Sequence, residues 1–545
     1  MTEALRLPDD LRAAVDAGLA DWAAGDKTRR LWAKDSALWT GADEARWLGW
    51  LEEPARQAAD LARLRRFQLD VKTAGFSHAV VLGMGGSALA PDVLARMFPS
   101  QPGHPELFVL DSTDPGQIRA IERRLDPAAT LFIASSKSGT TLEPNLLVSH
   151  FLGVARRGSR FVAITDPGSP FLHLARENGF WDVFPGVPEI GGRFSALSNF
   201  GLVPAAVMGL DIETMLKRAL VMAKACGPDA APADNPGVEL GIVLGAAARA
   251  GRDKLTLVLS PALTPLGAWL EQLVAESTGK RGMAIIPVDR EGLGPPGVYG
   301  PDRLFVYTRL ASGADPAQDA AVGALAEAGQ PVVALRVSTT WDLGKELFRW
   351  QVATAVAGAV LGINPFDQPD VEASKTATRS IMTAYERTGE LPWGQSLRLG
   401  DSALPKRLRD FLGSLKPGDY FAVLAWIEMN ERHAELLDGL RARVRDARRV
   451  ATCVGFGPRF LHSTGQAYKG GPDTGVFLHI TADDAEDVPA PGKQYSFGVV
   501  KAAQAAGDLA VLTERGRRVL QVQLSRNVKD ELELLDAAIA AALAS

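Results

Sequence analysis

Short apolar segments alternate with longer amphipathic ones through most of the chain, and this alternation limits the possible folds more than any other feature. A short apolar run between turn residues is typical of a buried strand, and an amphipathic run is typical of a surface helix. Strands that are joined through helices run parallel to one another. The sequence therefore predicts an α/β fold built from doubly wound parallel sheets.

The predicted strands form three groups of four, preceded by a helical stretch rich in tryptophan. Helices are predicted between the strands, for example at Asp114–Leu125 and Thr141–Ala155. The strands are, in chain order, His78–Leu82, Leu107–Leu110, Leu131–Ala134 and Phe161–Thr165; Lys254–Leu259, Met283–Val288, Leu304–Tyr307 and Val332–Val337; and Tyr420–Ile427, Val450–Val454, Val476–Ile480 and Arg518–Leu524.

Two turn-rich stretches, Gly227–Gly237 and Arg387–Pro405, separate these groups. They contain many Pro, Gly and Asp residues and no hydrophobic periodicity, which is typical of linkers. Three regions are therefore predicted. Residues 1–226 form the N-terminal helices and a first doubly wound domain, residues 238–387 form a second, and residues 400–545 form a C-terminal α/β region.

Composition and charge exclude several classes of partner. Hydrophobic residues make up 46% of the 545 residues and charged residues 23%, as in ordinary soluble globular proteins. The net charge of −5 gives no electrostatic reason to expect nucleic acid or an anionic membrane as a partner. The basic run Arg441–Arg449 follows an acidic helical segment, and we interpret it as a solvated helix face without a function.

The cysteines and the apolar runs bear on cellular location. Cys226 and Cys453 are too few and too far apart for a disulfide framework or a thiolate metal site. The N-terminus lacks the apolar core of a secretory signal. The longest nearly unbroken apolar run, Val352–Ile363, is shorter than the roughly 20 residues of a membrane helix. We expect a soluble cytoplasmic protein.

Glycines follow the first predicted strand in the sequence "GMGGSA", with Gly83, Gly85 and Gly86 at a strand-to-helix turn. Such a turn lets the backbone approach a ligand, and the next helix offers free N–H groups to an anion. The spacing is not GxGxxG, and the missing acidic partner for a ribose argues against a dinucleotide. A tight turn without a ligand remains an alternative.

The segment "IASSKSGTTLEPN" follows the third strand of the same group, where open α/β sheets place their ligands. Ser136, Ser138, Thr140 and Thr141 can donate hydroxyl groups, and the backbone N–H groups around Gly139 can form a nest for oxyanions. A phosphate monoester fits this set of donors. The alternative is a helix cap in which Thr140 or Thr141 is the N-cap and the glutamate of the same segment completes a capping box.

Three further segments carry candidate catalytic groups. Arg193 follows two glycines in "GGR", where a permanent positive charge can stabilise an oxyanion. Gln272 and Glu276 share one face of a helix, and Glu276 is in the last turn, where the helix dipole makes a charged carboxylate less favourable, as suits a general base. Gln368 and Lys375 are seven residues apart at the start of another helix. Each side chain taken alone could equally be an exposed surface group.

Taken together, "GMGGS", "SKSGTT", "GGR", "QLVAE" and "FDQPDVEASK" resemble, in order and spacing, the motifs of the phosphoglucose isomerase family. That resemblance implies two tandem sugar-isomerase (SIS) domains followed by the C-terminal α/β region. It also implies an enzyme that interconverts glucose 6-phosphate and fructose 6-phosphate through a cis-enediol, a step of glycolysis and gluconeogenesis. Such an enzyme is a homodimer and needs no cofactor and no metal. Within the family the likeness is strongest to the isomerase portion of fused transaldolase–phosphoglucose isomerase proteins, whose tail carries a segment like "GFGPRFLHSTGQ".

The resemblance implies a role for each matching residue. Glu276 is the base that moves a proton between C1 and C2, and Arg193 stabilises the enediolate. Gln272, Gln368 and Lys375 hold the sugar oxygens. The sugar phosphate is held by seven residues, Gly86, Ser87, Ser136, Lys137, Ser138, Thr140 and Thr141.

One departure from the family pattern concerns the histidine that opens the sugar ring. Typical members place it between the glutamate helix and the FDQ segment, but no histidine occurs here between His173 and His433. Fused relatives show "GQLHKGG" where this chain has "GQAYKGG", with Tyr468 at the histidine position. His462 is the nearest replacement, and a structural histidine is the alternative. Two other functions also remain open, a sugar-phosphate-binding protein without turnover and an isomerase of another aldose or ketose phosphate.

Overall fold

The structure is a computed structural model that describes residues 2–391 and 396–544. It contains three sheets flanked by helices on both faces, as the alternating pattern predicts. The strands are β1 (Thr2–Arg6), β2 (His78–Leu82), β3 (Glu106–Leu110), β4 (Thr130–Ser135), β5 (Phe161–Thr165), β6 (Asp182–Pro185), β7 (Lys254–Leu259), β8 (Ile286–Val288), β9 (Arg303–Leu310), β10 (Val332–Val337), β11 (Tyr420–Trp426), β12 (Ala451–Phe456), β13 (Gly475–Ala482) and β14 (Arg518–Leu524).

The helices of the same residues carry the connections between strands. They are α1 (Asp9–Ala24), α2 (Lys27–Trp32), α3 (Glu53–Ala59), α4 (Leu61–Ala74), α5 (Leu89–Met97), α6 (Pro115–Glu122), α7 (Leu142–Ala155), α8 (Pro170–Glu177), α9 (Asn199–Val207), α10 (Ile212–Ala225), α11 (Pro236–Arg249), α12 (Leu266–Thr278), α13 (Pro316–Glu327), α14 (Leu343–Leu361), α15 (Pro369–Thr388), α16 (Leu404–Gly413), α17 (Glu431–Arg448), α18 (Gly465–Gly470), α19 (Phe497–Glu514) and α20 (Val528–Ala544).

The first sheet has the strand order β3-β2-β4-β5-β6 and is parallel throughout. Both of its faces are buried, since the neighbouring residues Val80 and Val81 are fully buried in two different hydrophobic cores. This two-sided burial explains the continuous apolar runs of its strands. Because β2 and β4 are neighbours and end at the same edge, the glycine turn and the Ser/Thr loop that follow them lie side by side.

The second sheet has the order β1-β10-β9-β7-β8. Strand β1 pairs with β10 in the antiparallel direction, so this otherwise parallel sheet has one antiparallel edge strand that the sequence did not predict. The short sequence of β1, "TEALR", has no apolar run that could have marked it as a strand. A strand that no crossover joins directly to its neighbour can pair with it in either direction.

The third sheet, β12-β11-β13-β14, is parallel and forms the predicted C-terminal α/β region. Helix α19 of this region packs on α15 and places Phe497 and Val500 in the core on one face of the first sheet. The C-terminal region is therefore part of the wall around the edge of the first sheet. The way in which the C-terminal region packs on the first sheet decides which of its side chains lie at that edge.

The tryptophan-rich N-terminal helices bind the first two sheet units together. The Trp39 indole N–H donates to the carbonyl of Ala355 on α14 at 2.8 Å. Trp50 is fully buried and stacks on Phe194, beside the predicted Arg193. These contacts anchor the segment that carries Arg193 in the common core.

Three details differ from the sequence-based expectations or lie beyond them. Arg441 and Arg445 are buried, so only part of the basic run on α17 is a solvated face. The predicted linker Gly227–Gly237 is not irregular to its end, because α11 begins at Pro236 with the Asn235 side chain as its cap. Residues 392–395, in the predicted turn-rich stretch, lie outside the described residues, and the three domain boundaries stay a prediction.

No helix within the described residues is long and apolar enough to cross a membrane. The apolar run at Val352–Ile363 lies mostly in α14, where it packs against α11, α10 and α12.

Candidate active site

The Ser/Thr loop after β4 forms an open set of donors. The Ser136 side chain is buried, and its hydroxyl has no hydrogen-bond partner among the described residues. Ser138 and Thr140 are exposed, with their hydroxyl oxygens 3.0 Å apart. Gly139 has a positive φ of 70°, which turns the loop back on itself. An unpaired buried hydroxyl beside exposed donors is a geometry that suits an oxyanion.

The capping-box alternative is not formed. Helix α7 begins at Leu142, and the Thr141 side chain makes no cap hydrogen bond. The side chain of Glu143 turns away from the helix end to other partners, His462 and Gln504. Lys137 also turns away from the loop, since its ammonium group pairs with Asp166.

The glycine turn after β2 packs against the "GGR" turn so closely that the two backbones touch. A Cβ atom on Gly86 would lie 2.1 Å from the carbonyl oxygen of Gly192. Gly85 has a φ of +55° and lies beside Gln272 and His462. The two backbones approach so closely that these positions need glycine. The same contact holds Arg193 next to the glycine turn.

Replacement of Gly86 by alanine is expected to force these two turns apart, because the clash is with backbone rather than with a movable side chain. We expect a lower melting temperature and a loss of sugar-phosphate binding. Gly191→Ala is the matched control, since a Cβ at that position meets nothing within 4 Å. Thermal melts and ligand titrations of both variants measure the effect. Equal behaviour of the two variants would contradict this role of Gly86.

Glu276 is in the last turn of α12, as predicted, but its side chain is buried rather than exposed. Its carboxylate lies 3.4 Å from the Arg193 guanidinium. Gln272, one turn earlier, donates to Glu276 at 3.0 Å and to the backbone carbonyl of His462 at 2.8 Å. The Gln272 side-chain oxygen has no partner among the described residues. Gln272 therefore links the candidate base to the C-terminal segment and keeps one acceptor free.

Arg193 is held by five contacts within the protein. Its guanidinium donates to the Ser277 hydroxyl, the Gln368 side chain and the carbonyls of Pro365 and Asp367, and it pairs with Glu276. Burial lowers the pKa of Arg193 from its usual value, and the nearby carboxylates oppose this shift. A fixed, buried cation beside a carboxylate is arranged in advance to stabilise negative charge.

Gln368 and Lys375 come to the site on α15 and the loop before it. Gln368 accepts from Arg193 at 2.9 Å. The Lys375 ammonium lies 2.7 Å from Glu372 and is partly exposed. Its positive charge makes a small contribution to lowering the pKa of Glu143.

His462 reaches the site from the C-terminal region. Its Nε2 lies 2.9 Å from the Glu143 carboxylate, which also accepts from Gln504 of α19 at 2.6 Å. Burial by itself raises the pKa of Glu143, but the charge of His462 and their hydrogen bond outweigh it and lower the pKa below its usual value. Glu143 is therefore ionised at neutral pH, and it fixes the orientation of the imidazole.

Tyr468, the other candidate for ring opening, does not take this position. Its ring is buried, stacks on Tyr420 and packs against Phe477 in the core beneath the third sheet. Burial raises its pKa well above the usual value for tyrosine. These surroundings are those of a structural side chain.

Two residues of this neighbourhood were missed from the sequence. Glu143 was considered only as part of a helix cap, because the threonines before it suggested one. Lys280 donates to the carbonyl of Asn364 at 2.6 Å and pairs with Asp367 at 2.8 Å. Burial, with the charge of Arg193 second, lowers the pKa of Lys280 to about 7. No sequence pattern distinguishes Lys280 from a surface lysine.

The site thus combines an oxyanion loop, a buried carboxylate–guanidinium pair and a histidine–carboxylate pair. The first can hold a phosphate group, the second can move a proton and stabilise the resulting anion, and the third can exchange a proton with a ring oxygen. These are the functions that an aldose–ketose interconversion of a cyclic sugar phosphate requires.

Known proteins that are similar to this chain include glucose-6-phosphate isomerases. A sequence model of the phosphoglucose isomerase family matches residues 69–285. A glucose-6-phosphate isomerase of Rubrobacter xylanophilus is 33% identical over 371 residues, which cover 57% of this chain and 84% of the relative. One of Thermosynechococcus vestitus is 28% identical over 421 residues, covering 64% of this chain and 79% of the relative.

Two solved structures are similar in fold. A hypothetical protein of Thermus thermophilus aligns with a TM-score of 0.59 and 28% identity, covering 70% of this chain and 100% of that one. A glucose-6-phosphate isomerase of Chlamydia trachomatis aligns with a TM-score of 0.52 and 23% identity, covering 67% of this chain and 79% of that one. At that identity the second likeness concerns the fold alone.

Proposed function

Since the chain belongs to the phosphoglucose isomerase family, we propose how its own residues carry out the family reaction. The two tandem parallel-sheet units are SIS domains, and the chain is an aldose–ketose isomerase that interconverts glucose 6-phosphate and fructose 6-phosphate. This reaction is a step of glycolysis and of gluconeogenesis. The substrate is a small sugar phosphate.

The sugar phosphate binds between the glycine turn and the Ser/Thr loop. The hydroxyls of Ser136, Ser138, Thr140 and Thr141 donate to its oxygens, together with backbone N–H groups around Gly86 and Ser87. The unpaired, buried Ser136 hydroxyl supports this assignment. Because Lys137 is paired with Asp166, neutral donors carry most of the binding.

Replacing Ser136 and Thr141 together by alanine is expected to raise KM by about tenfold or more, because each hydrogen bond to a charged oxygen contributes about 1.5–3 kcal/mol. We expect kcat to change much less, since the phosphate is bound equally in the ground and transition states. Steady-state kinetics measure both constants. Ser149→Ala on α7 is the control, because that hydroxyl bonds only within its helix to the carbonyl of Asn145. An unchanged KM in the double variant would reject the assignment.

Proton transfer is assigned to Glu276. The carboxylate removes the proton from C2 of the open-chain aldose and returns it to C1, while the negative charge that develops on the enediolate is stabilised by Arg193. Gln272, Gln368 and Lys375 hold the sugar oxygens. The observation that carries this proposal is the buried Glu276–Arg193 pair at 3.4 Å.

Ring opening is assigned to His462. Its Nε2–H donates to the ionised Glu143, so Nδ1 is the nitrogen free to exchange a proton with the ring oxygen. The Nδ1 atom makes no hydrogen bond to any of the described residues. His462 thus takes the role that a histidine earlier in the chain would have in the usual family order.

A coupled assay of the purified protein with fructose 6-phosphate tests the proposed function directly. The alternative of a sugar-phosphate-binding protein without turnover is less favoured, because phosphate binding alone needs no buried carboxylate–guanidinium pair. Glucose 6-phosphate formation at a rate abolished by Glu276→Gln supports the proposal. Tight binding without turnover would favour the alternative, and faster turnover of another ketose phosphate would change the substrate.

We further infer a homodimer in the cytoplasm. The family likeness supports the dimer, and two free, buried cysteines suit a reducing compartment. Burial raises the pKa of both Cys226 and Cys453 to about 12, so neither thiol is reactive. Light scattering of the protein as it elutes from a size-exclusion column would measure its mass and so test the dimer. The relation to fused transaldolase proteins stays a prediction.

A further inference from the structure

A second cavity lies beyond the carboxyl ends of β11 and β12, outside the site described above. Its volume is about 370 Å³. Five parts of the chain line it: α5 with Arg96, α12 with Glu271, the turn after β8 with Arg290, α17 with Arg441, and the segment around Arg459 after β12. Such a crevice at the carboxyl ends of parallel strands is where α/β sheets bind ligands. Its size suits a small metabolite.

Most charged groups around this cavity already have partners. Arg459 pairs with Asp92 at 2.6 Å and with the buried Asp111 at 2.9 Å. Arg441 pairs with Asp438 at 3.1 Å and donates to the backbone carbonyl of Asp289 at 2.8 Å. These contacts join the segment after β12 to α5, and α17 to the turn after β8.

Three groups that line the same cavity make no hydrogen bond to the described residues. The guanidinium groups of Arg96 and Arg290 form only long ion pairs, with Asp92 at 3.8 Å and with Asp289 at 3.4 Å. Burial lowers the pKa of Arg96, and the positive charge of Arg290 lowers it further, so the two guanidinium groups lie close enough to repel each other. Glu271 forms no ion pair or side-chain hydrogen bond to the described residues.

The protonation of Glu271 makes the cavity richer in donors. Burial, with the Asp289 carboxylate second, raises the pKa of Glu271 to about 8. The raised pKa favours the protonated form of this carboxyl group, which can donate a hydrogen bond. Two guanidinium groups without hydrogen bonds and a carboxyl group that can donate match a ligand with several oxygens and a negative charge.

We propose that this cavity is a second ligand site, which binds a small oxyanion of the phosphate ester or polycarboxylate type between Arg96 and Arg290, separately from the reacting sugar phosphate. The ligand would touch two elements of the catalytic site. Glu271 directly precedes Gln272 on α12, and Arg459 begins the short helix that ends at His462. Occupancy of the cavity is therefore expected to change turnover through these two elements.

Calorimetric titration with the active site filled tests the proposal. Saturating hexitol 6-phosphate, which has no carbonyl group to react, occupies the sugar-phosphate site. Citrate, glycerol 3-phosphate and inorganic phosphate are then titrated separately, which distinguishes a carboxylate from a phosphate ligand and from the simple ion. One further equivalent of at least one of them should bind to the wild-type protein. The Kd should rise roughly tenfold or more in the Arg96→Gln/Arg290→Gln variant, through lost charge-assisted hydrogen bonds.

Two control variants separate this site from the rest of the molecule. Arg65→Gln/Arg66→Gln removes two exposed arginines of α4, which line no part of the cavity, and should leave anion binding unchanged. Ser136→Ala/Thr141→Ala weakens the proposed sugar-phosphate site and should also leave the second site intact. If that variant loses anion binding while Arg96→Gln/Arg290→Gln keeps it, the anion was in the catalytic site and the proposal is overturned.

The kinetic arm tests the coupling to catalysis. The anion that binds should change kcat or KM for fructose 6-phosphate in the wild-type protein and not in Arg96→Gln/Arg290→Gln. Binding without any kinetic change would overturn the coupling while supporting the site. Failure of the proposed function would instead appear as no turnover at any anion concentration, with the second binding event still present.

Discussion

Glu276→Gln is expected to lower kcat for fructose 6-phosphate by about 10²–10⁴-fold, because removal of a general base typically costs this much. The amide is nearly isosteric and can still receive the hydrogen bond from Gln272. Sugar-phosphate binding should therefore remain. The proton on C2 of glucose 6-phosphate should no longer exchange with solvent. NMR in deuterium oxide measures this exchange, which should stop together with turnover.

The control for this variant is Glu327→Gln. Glu327 is also in the last turn of a helix, α13, but its side chain is exposed. It should behave as the wild type in turnover and in exchange. If Glu276→Gln still exchanges the C2 proton at the wild-type rate, the base lies elsewhere.

The fold was largely predictable because its strands are buried on both faces. A continuous apolar run such as that of β5 or β11 is then visible in the sequence without any alignment. Strands β1 and β6 were missed, since each lies at a sheet edge and is only partly apolar. Edge strands bury less surface, so their sequences carry a weaker signal.

The site was predictable only where one segment carries the chemistry. The Ser/Thr loop and the Gln272–Glu276 spacing are local features. The partnership of Glu143 with His462 is not, because 319 residues separate them and only the docking of the C-terminal region brings them together. The direction of the Lys137 side chain likewise depends on Asp166, which follows the next strand. Contacts of this kind arise from tertiary packing and leave no local pattern.

His462→Ala is expected to slow turnover of cyclic glucose 6-phosphate while leaving an acyclic substrate nearly unaffected. Most hexose phosphate in solution is cyclic, and the loss of one acid–base group typically costs about 10²–10⁴-fold in the step that it assists. A four-carbon aldose phosphate cannot form the six-membered ring and needs only the Glu276–Arg193 step. Parallel kinetics on the two substrates measure the difference. Glu143→Gln should give a smaller loss of the same kind, since Glu143 orients His462 without touching the substrate.

His150→Ala provides the matched control for this experiment. His150 also pairs with a glutamate, Glu122 at 2.7 Å, but on the far part of α7 away from the candidate active site. Its loss should leave the ratio of cyclic to acyclic turnover at the wild-type value. Equal losses on both substrates in His462→Ala would indicate a structural role, because a ring-opening acid acts before the step that the two substrates share. An unchanged rate on both substrates would show that another group, or spontaneous opening, supplies the acyclic sugar.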